Sequence, residues 1–202
     1  TWYASTYYDG VSYASILVKT REGRPIYIKG NKDYGFTQGG TNAQIIASVL
    51  GLYDSARLHS PVSKGKETTW SAADDAIKAA IKAASKVTLV SNTVISPSLG
   101  TAISELAAAA GTDKFEHIQY DAVSYAGMRK AYEASFGKNI IPDHDFSKAK
   151  TIVSVGADFL TSWLLPTQFA TQYGTRRNPD GQWMSKHFQF ESVMTVTGSN
   201  AD

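Results

Sequence analysis

No cysteine occurs among the 202 residues. Disulfides, thiolate zinc sites and all-cysteine iron–sulfur clusters are therefore excluded within them. The compartment is left open, because a secreted protein of this size folds without disulfides. Charge of one sign is scarce too: 20 Lys and Arg against 18 Asp and Glu leave a formal charge of +2. The two signs alternate along the chain instead of gathering into a basic patch, which sets aside nucleic acid and an anionic membrane surface as partners. No run of about 18 apolar residues exists, so direct membrane insertion is not expected. The Gly-x-Gly-x-x-Gly fingerprint and the Walker A loop are missing, as are Gly-x-Ser-x-Gly and His-Glu-x-x-His. NAD, ATP and hydrolytic chemistry are left without support.

What is present suits a folded domain. The apolar fraction is 43%, enough for a substantial core. The first segment reads as β: Tyr13 to Lys19 and Pro25 to Lys29 flank a short Gly-containing loop, a hairpin signal. Thr41-Asn42 reads as the cap of a short helix from Ala43 to about Leu52. A loop with Pro61, Gly65 and several lysines follows, and a boundary is placed there. From Trp70 the pattern changes. Ser71 with Asp74 and Asp75 reads as a helix start, followed by the strand Lys86 to Val90 and a helix from Ser98 to Gly111. Then come a weaker strand, His117 to Tyr120, a helix from Tyr125 to Phe136, and a clear strand, Lys150 to Val155. A last strand is expected at Ser192 to Val196. Alternating strands and helices predict βαβ crossovers. The expected fold class is α/β: a β-rich portion over residues 1–65, then an α/β domain over 66–202 with an open, mostly parallel sheet and flanking helices.

Ligands of open α/β sheets bind beyond the carboxyl ends of the strands. Ser91-Asn92, the Asp121 to Ser124 stretch and Gly156-Ala157-Asp158 mark three such ends, expected to line one crevice. Turn chemistry alone also places Gly, Asn, Asp and Ser after strands, so both readings stand. Asp143-His144-Asp145 looks like a metal cluster, yet three adjacent residues cannot readily face one ion, and capping or solvation accounts for them. Arg176-Arg177 reads as a solvated loop or a holder of phosphate or carboxylate. The tyrosines of the start (Tyr3, Tyr7, Tyr8, Tyr13) read as a contact surface or as partly buried against the β layer. The chain opens at Thr1 without Met and closes on an apolar run leading into Gly-Ser-Asn, and is expected to be an internal fragment of a longer parent.

The order of segments resembles the bis-molybdopterin oxidoreductases. Val18 to Asn31 (VKTREGRPIYIKGN) with Leu52 to Leu58, Thr69 to Ile77 (TWSAADDAI) and Ile152 to Leu160 (IVSVGADFL) carry the likeness. Thr195 to Asp202 (TVTGSNAD), with Thr197, looks like the start of another cofactor contact. The wording of Tyr3 to Gly10 with the following Ile16 to Ile26 (ILVKTREGRPI), and of Tyr120 to Gly137 (YDAVSYAGMRKAYEASFG), is similar to one branch, the large iron–sulfur subunit of bacterial alternative complex III. The resemblance implies a pterin crevice at Ser91, Asn92, Ser124, Gly156, Asp158 and Thr197. The departures imply that this site is vestigial. Gly39-Gly40-Thr41-Asn42 stands where the family ends an iron–sulfur site in cysteine, and the basic residue that follows is replaced near Ala43-Gln44. Of the residues where the molybdenum ligand falls, only Ser124 could ligate.

The implied function is a cofactor-free scaffold and docking domain of a quinol:cytochrome c oxidoreductase subunit, on the periplasmic side of the bacterial inner membrane. No cofactor is expected in the fragment, the family's molybdopterin being lost, with iron–sulfur clusters elsewhere in the parent. Its partners would be other domains of that parent and the cytochrome and membrane subunits of a respiratory complex. Two alternatives remain: an active molybdenum enzyme with Ser124 as ligand, and a small-molecule binding module using the crevice.

Overall fold

The computed structural model describes residues 1–10 and 12–202. In chain order the strands and helices are β1 (Trp2–Tyr8), β2 (Tyr13–Arg21), β3 (Arg24–Gly30), α1 (Ala43–Ala47), β4 (Val62–Ser63), β5 (Lys66–Glu67) and α2 (Trp70–Ala83). They continue with β6 (Val87–Ser91), α3 (Pro97–Ala110), β7 (Phe115–Gln119), α4 (Ala126–Phe136), β8 (Thr151–Val155), α5 (Pro166–Gly174), β9 (Lys186–Phe190) and α6 (Val196–Ser199). The class is α/β with parallel strands, as the alternation of patterns predicts. The chain divides into two compact units, one of residues 1–57 and 142–202, the other of residues 58–141.

In the first unit β1, β2 and β3 form an antiparallel sheet in that order. The β2–β3 connection is tight because Glu22 and Gly23 both take positive φ, 52° and 77°, the geometry that matches the twist of a two-residue hairpin. Ala14, Ile16 and Ile28 alternate onto one face and pack with Ile45 and Val49, with Tyr7 and Val18 beside them. The helix expected from Ala43 to Leu52 is α1 followed by a 3₁₀ turn over Ser48–Leu52. Asn42 caps it, its side chain accepting from Ile45 N at 2.8 Å. The expectation for the first residues lacked β1, since its strand pairs with β2 while only Tyr7 of its residues is even half-buried. A half-exposed edge strand shows no alternation to read.

The second part of this unit holds β8 and β9 as a parallel pair with α5 between them in sequence. A parallel connection needs a crossover, and α5 supplies it. Ile152, Ser154 and His187 are buried, whereas Val153, Val155, Phe188 and Phe190 on the opposite face are exposed. Phe159, Phe169 and Tyr173 complete the core under the pair. Phe146 stacks on Phe159 with ring centres 4.4 Å apart and meets Phe169 edge-on at 5.1 Å. The strand expected at Ser192 to Val196 is instead a loop running into α6, and the true strand is Lys186–Phe190. The apolar residues 193–196 supplied the wrong signal, and the polar alternation of KHFQF hid the right one.

The second unit contains the short β4–β5 hairpin, the parallel pair β6–β7, and helices α2, α3 and α4. Thr69 caps α2, accepting from Ala72 N, so the helix begins one residue before the expected Ser71 cap. Ser96 caps α3 and Pro97 opens it, where a missing N–H costs nothing. Gly137 ends α4 in the left-handed region, φ 67°, as a C-terminal glycine should. The Lys150 to Val155 strand does not join β6 and β7 in one hydrogen-bonded sheet; it pairs with β9 in the other unit. The parallel strands therefore form two pairs rather than one open sheet.

Candidate functional site

The carboxyl end of β6 carries Ser91 and Asn92, and the segment after β7 carries Asp121 and Ser124. The Ser91 hydroxyl lies 2.8 Å from His117 Nε2 and 2.6 Å from the Asn92 carbonyl, to which it donates. With its proton on that carbonyl, Ser91 receives from His117 Nε2, so the pair is a turn lock and not a base poised over a nucleophile. Asp121 accepts from the Thr93 amide at 2.8 Å and from the Thr93 hydroxyl, and these bonds, the hydroxyl first, hold its carboxyl below the usual aspartate range. Gln119 Oε1 takes the Val94 amide at 2.8 Å. Ser124 Oγ accepts from the Ala126 amide at 3.2 Å, a local turn leading into α4. Thus Ser91, Asn92 and Ser124 belong to the unit of residues 58–141, where the hydroxyls of Ser91 and Ser124 are engaged by neighbours and Asn92 is exposed, taking part through its backbone carbonyl.

Gly156, Asp158 and Thr197 belong to the other unit, and there the structure does bring candidates together. Gly156 leaves β8 with φ 66°, allowing the chain to turn sharply. Asp158 Oδ1 accepts from Thr197 Oγ1 at 2.6 Å, while Oδ2 accepts from Thr161 and, at 2.9 Å, from Ser162. Burial is the largest single influence on this carboxyl and raises its pKa, but the three hydroxyl bonds together outweigh it and hold it below the ordinary value. Thr197 is fully buried and also accepts the Leu160 amide at 3.0 Å. The carboxylate and the hydroxyl therefore clamp the turn after β8 to α6.

Beside this clamp lies a network that the sequence did not announce. His187, on β9, is fully buried. Glu191 accepts from Gln189 Nε2 at 3.1 Å, which turns Gln189 Oε1 toward His187 Nε2 at 3.2 Å. An acceptor facing Nε2 places the proton of the neutral ring there. Nδ1 is then an acceptor for the Tyr173 hydroxyl, 3.2 Å away, which the Asn200 carbonyl draws in competition at 2.8 Å. Burial lowers the histidine's pKa and raises that of Tyr173. Glu191 is held low by the Thr195 amide. Asp202 is held low by the His187 amide and by Arg177, whose guanidinium lies 3.0 Å away. A concavity of about 450 Å³ opens here, lined by Phe188, Phe190, Glu191, Met194 and Asp202 among others.

The remaining candidates resolve into structural roles. Arg177 grips Asp202 and the Ser185 carbonyl, and Arg176 lies 4.3 Å over the Trp183 ring while donating to the Ser147 carbonyl; the pair is neither a solvated loop nor a phosphate holder. Asp145 caps the 3₁₀ turn Phe146–Lys148, and His144 packs against Trp163 at 5.2 Å. Among the described residues no group of three or more His, Cys, Asp or Glu is placed to hold a metal ion. His187 and Gln189 escaped the sequence because their strand did, and Glu191 follows directly after it; the signal was the alternation of polar residues at 187, 189 and 191, readable only once β9 is known.

No family model matches the chain. It is similar to the menaquinone reductase molybdopterin-binding-like subunit of Nitratidesulfovibrio vulgaris, with 24% identity over 197 residues, 93% of this chain. The chain spans 28% of the length of that relative. The match supports a distant molybdopterin-oxidoreductase-like relationship without selecting a particular subunit.

Proposed function

We propose that the chain is a cofactor-free molybdopterin-oxidoreductase-like domain of a respiratory electron-transfer subunit, acting as scaffold and docking surface. The observation that carries this reading is the internal saturation of the strand ends. Asp158 is closed by Thr161, Ser162 and Thr197, Ser124 by the Ala126 amide, and Ser91 by Asn92 and His117. A pterin is held by donors and acceptors left free at such ends, and these three are engaged within the chain. The residues present do not fit a molybdenum–pterin group. A relative named as molybdopterin-binding-like and belonging to a menaquinone reductase supports the respiratory setting. The finer placement is the alternative complex III branch, with iron–sulfur clusters elsewhere in the parent, the periplasmic face of the inner membrane, and cytochrome and membrane subunits as neighbours. It rests on the resemblance of Tyr3 to Gly10 and of the Tyr120 to Gly137 stretch.

Metal and pterin analysis of the parent protein purified from its native membrane tests this. Iron without molybdenum or pterin is the expected result. Molybdenum and pterin near stoichiometry would overturn it and make Ser124 the first ligand to replace. The concavity beside Glu191 favours a second reading, a small-molecule module. A thermal-shift screen with pterins and guanine nucleotides addresses it, because a ligand of the native state raises stability; no shift removes that reading.

A further inference from the structure

The outward face of the β1–β3 sheet carries an ordered cluster of cations and aromatic rings. Register places Lys19 between Trp2 on β1 and Tyr27 on β3, and Leu17 opposite Lys29. With side chains alternating along each strand, Trp2, Lys19, Tyr27 and Lys29 share one face, and Ala14, Ile16 and Ile28 point to the other, into the core. Trp2 and Tyr27 meet edge to face at 6.2 Å. The Lys29 ammonium lies 4.4 Å from the centre of the Trp2 ring and that of Lys19 lies 5.8 Å away, both within cation–π range. At the hairpin end Arg21 and Arg24 line a concavity of about 380 Å³ with Glu22 and Tyr53. Among the described residues none of these four cations is in an ion pair; the pairs formed are Lys86–Glu116, Lys148–Asp145 and Arg177–Asp202.

We infer that this face is a docking surface for the acidic face of a protein partner. Two unpaired lysines held over an aromatic ring, with Arg21 and Arg24 unpaired at the hairpin end, call for carboxylates, and the Trp2 and Tyr27 rings beside the lysines supply the contact area that anchors protein interfaces. The position of the rings discriminates between partners. Base stacking needs an open ring face, and Lys29 covers that of Trp2. Seating in a bilayer needs aromatic or aliphatic groups projecting past the cations, whereas here the ammonium groups lie over the ring. A net charge of +2 averages over all the residues and does not show a local cluster of this kind. The inference rests on the docking role proposed above and adds the chemistry of what docks. Metal and pterin analysis bears on that role and not on this face, so the two fail separately.

The experiment titrates the full chain with poly-L-glutamate as the probe, reading amide NMR shifts. Shifts should concentrate in residues 2–29. The double variant Lys19→Gln, Lys29→Gln should weaken binding about tenfold, through lost electrostatic attraction at the contact face. Lys78→Gln with Lys82→Gln, which removes the same charge from α2, should change it by less than about twofold if only screened long-range attraction is lost. Arg21→Gln with Arg24→Gln serves as a second patch variant should the first fail to fold. Equal losses for patch and α2 variants, shifts centred outside residues 2–29, or no binding would overturn the inference. So would binding to phosphatidylglycerol-containing vesicles or single-stranded DNA, lost in the patch variants, with none to polyglutamate.

Discussion

The two units are built from similar pieces and differ in what they enclose. In the unit of residues 1–57 and 142–202, a parallel pair and its crossover helix close over Phe159, Phe169, Tyr173 and His187, and a second cluster lies on one face of the antiparallel sheet. In the unit of residues 58–141 another parallel pair carries its own crossover helix, yet none of its residues is buried. Ile77 on α2, Val90 on β6, Leu99 on α3 and Ile118 on β7 are 57%, 64%, 50% and 42% exposed, although each sits at an apolar position of its element's pattern. The contrast teaches that a correct βαβ pattern is not itself a core. Parallel strands are stabilised when both faces are covered, and in this unit the covering layer is incomplete.

The largest test of that contrast is a pair of truncations. Phe169→Ala, at a site with no exposure, should cost about 3–5 kcal/mol, the range for emptying a packed aromatic site. Leu99→Ala, at a half-exposed site, should cost less than about 1 kcal/mol, because little area leaves water on folding. Urea unfolding of the two variants measures both; similar costs would erase the distinction between the units.

A smaller effect sharpens the account of the better-packed unit. Burial holds His187 below its ordinary pKa of 6.5, so as pH falls the unfolded chain takes up a proton there before the folded one does. The resulting stability is present in full above the unfolded value, and is lost as pH falls below about 6.5 toward the depressed folded value. Asp158, Glu191 and Asp202 act the same way but only lower, below the ordinary carboxylate range, since their folded values are depressed. Melting temperature should therefore fall between about pH 6.5 and pH 5 in the native protein, and His187→Gln should flatten that slope. A parallel fall in both would place the titration elsewhere.

The smallest effect belongs to the open unit. Lys86 and Glu116 form an ion pair at 2.6 Å, with side chains 64% and 44% exposed. Lys86→Met should change stability by less than about 0.5 kcal/mol, as exposed pairs do, and the difference should vanish in high salt. A larger loss would mean that the second unit depends on its surface charges for order.

Much of the secondary structure was legible because its signals are local. The Gly23-containing turn, the Asn42 cap of α1, Gly137 at the end of α4 and the run Thr151–Val155 each depend on residues a few positions apart. The short β4–β5 hairpin, α5 and α6 were not read, and two strands escaped because their signal is tertiary. β1 is mostly exposed and shows no alternation, and β9 alternates His187 and Gln189 inward because their polar groups meet Tyr173 and Glu191, partners 14 and 2 residues distant. Of the expected crevice, turn residues at strand ends were readable, but the bonds that occupy them were not. Asp158 and Thr197 stand 39 residues apart in sequence, and nothing local links them.

Sequence by itself determined the absence of thiolate chemistry, the α/β class and the positions of most helices and of the β2, β3, β6, β7 and β8 strands. These follow from composition and from periodicity within a turn or two of chain. Tertiary structure alone decided that β8 takes β9 as its partner, that the carboxylates of Asp121 and Asp158 are taken up by hydroxyls and an amide, and that Lys19 and Lys29 meet over Trp2. Strand pairing and side-chain bonding join residues distant in sequence, and their free energy depends on geometry that exists only once the chain is folded.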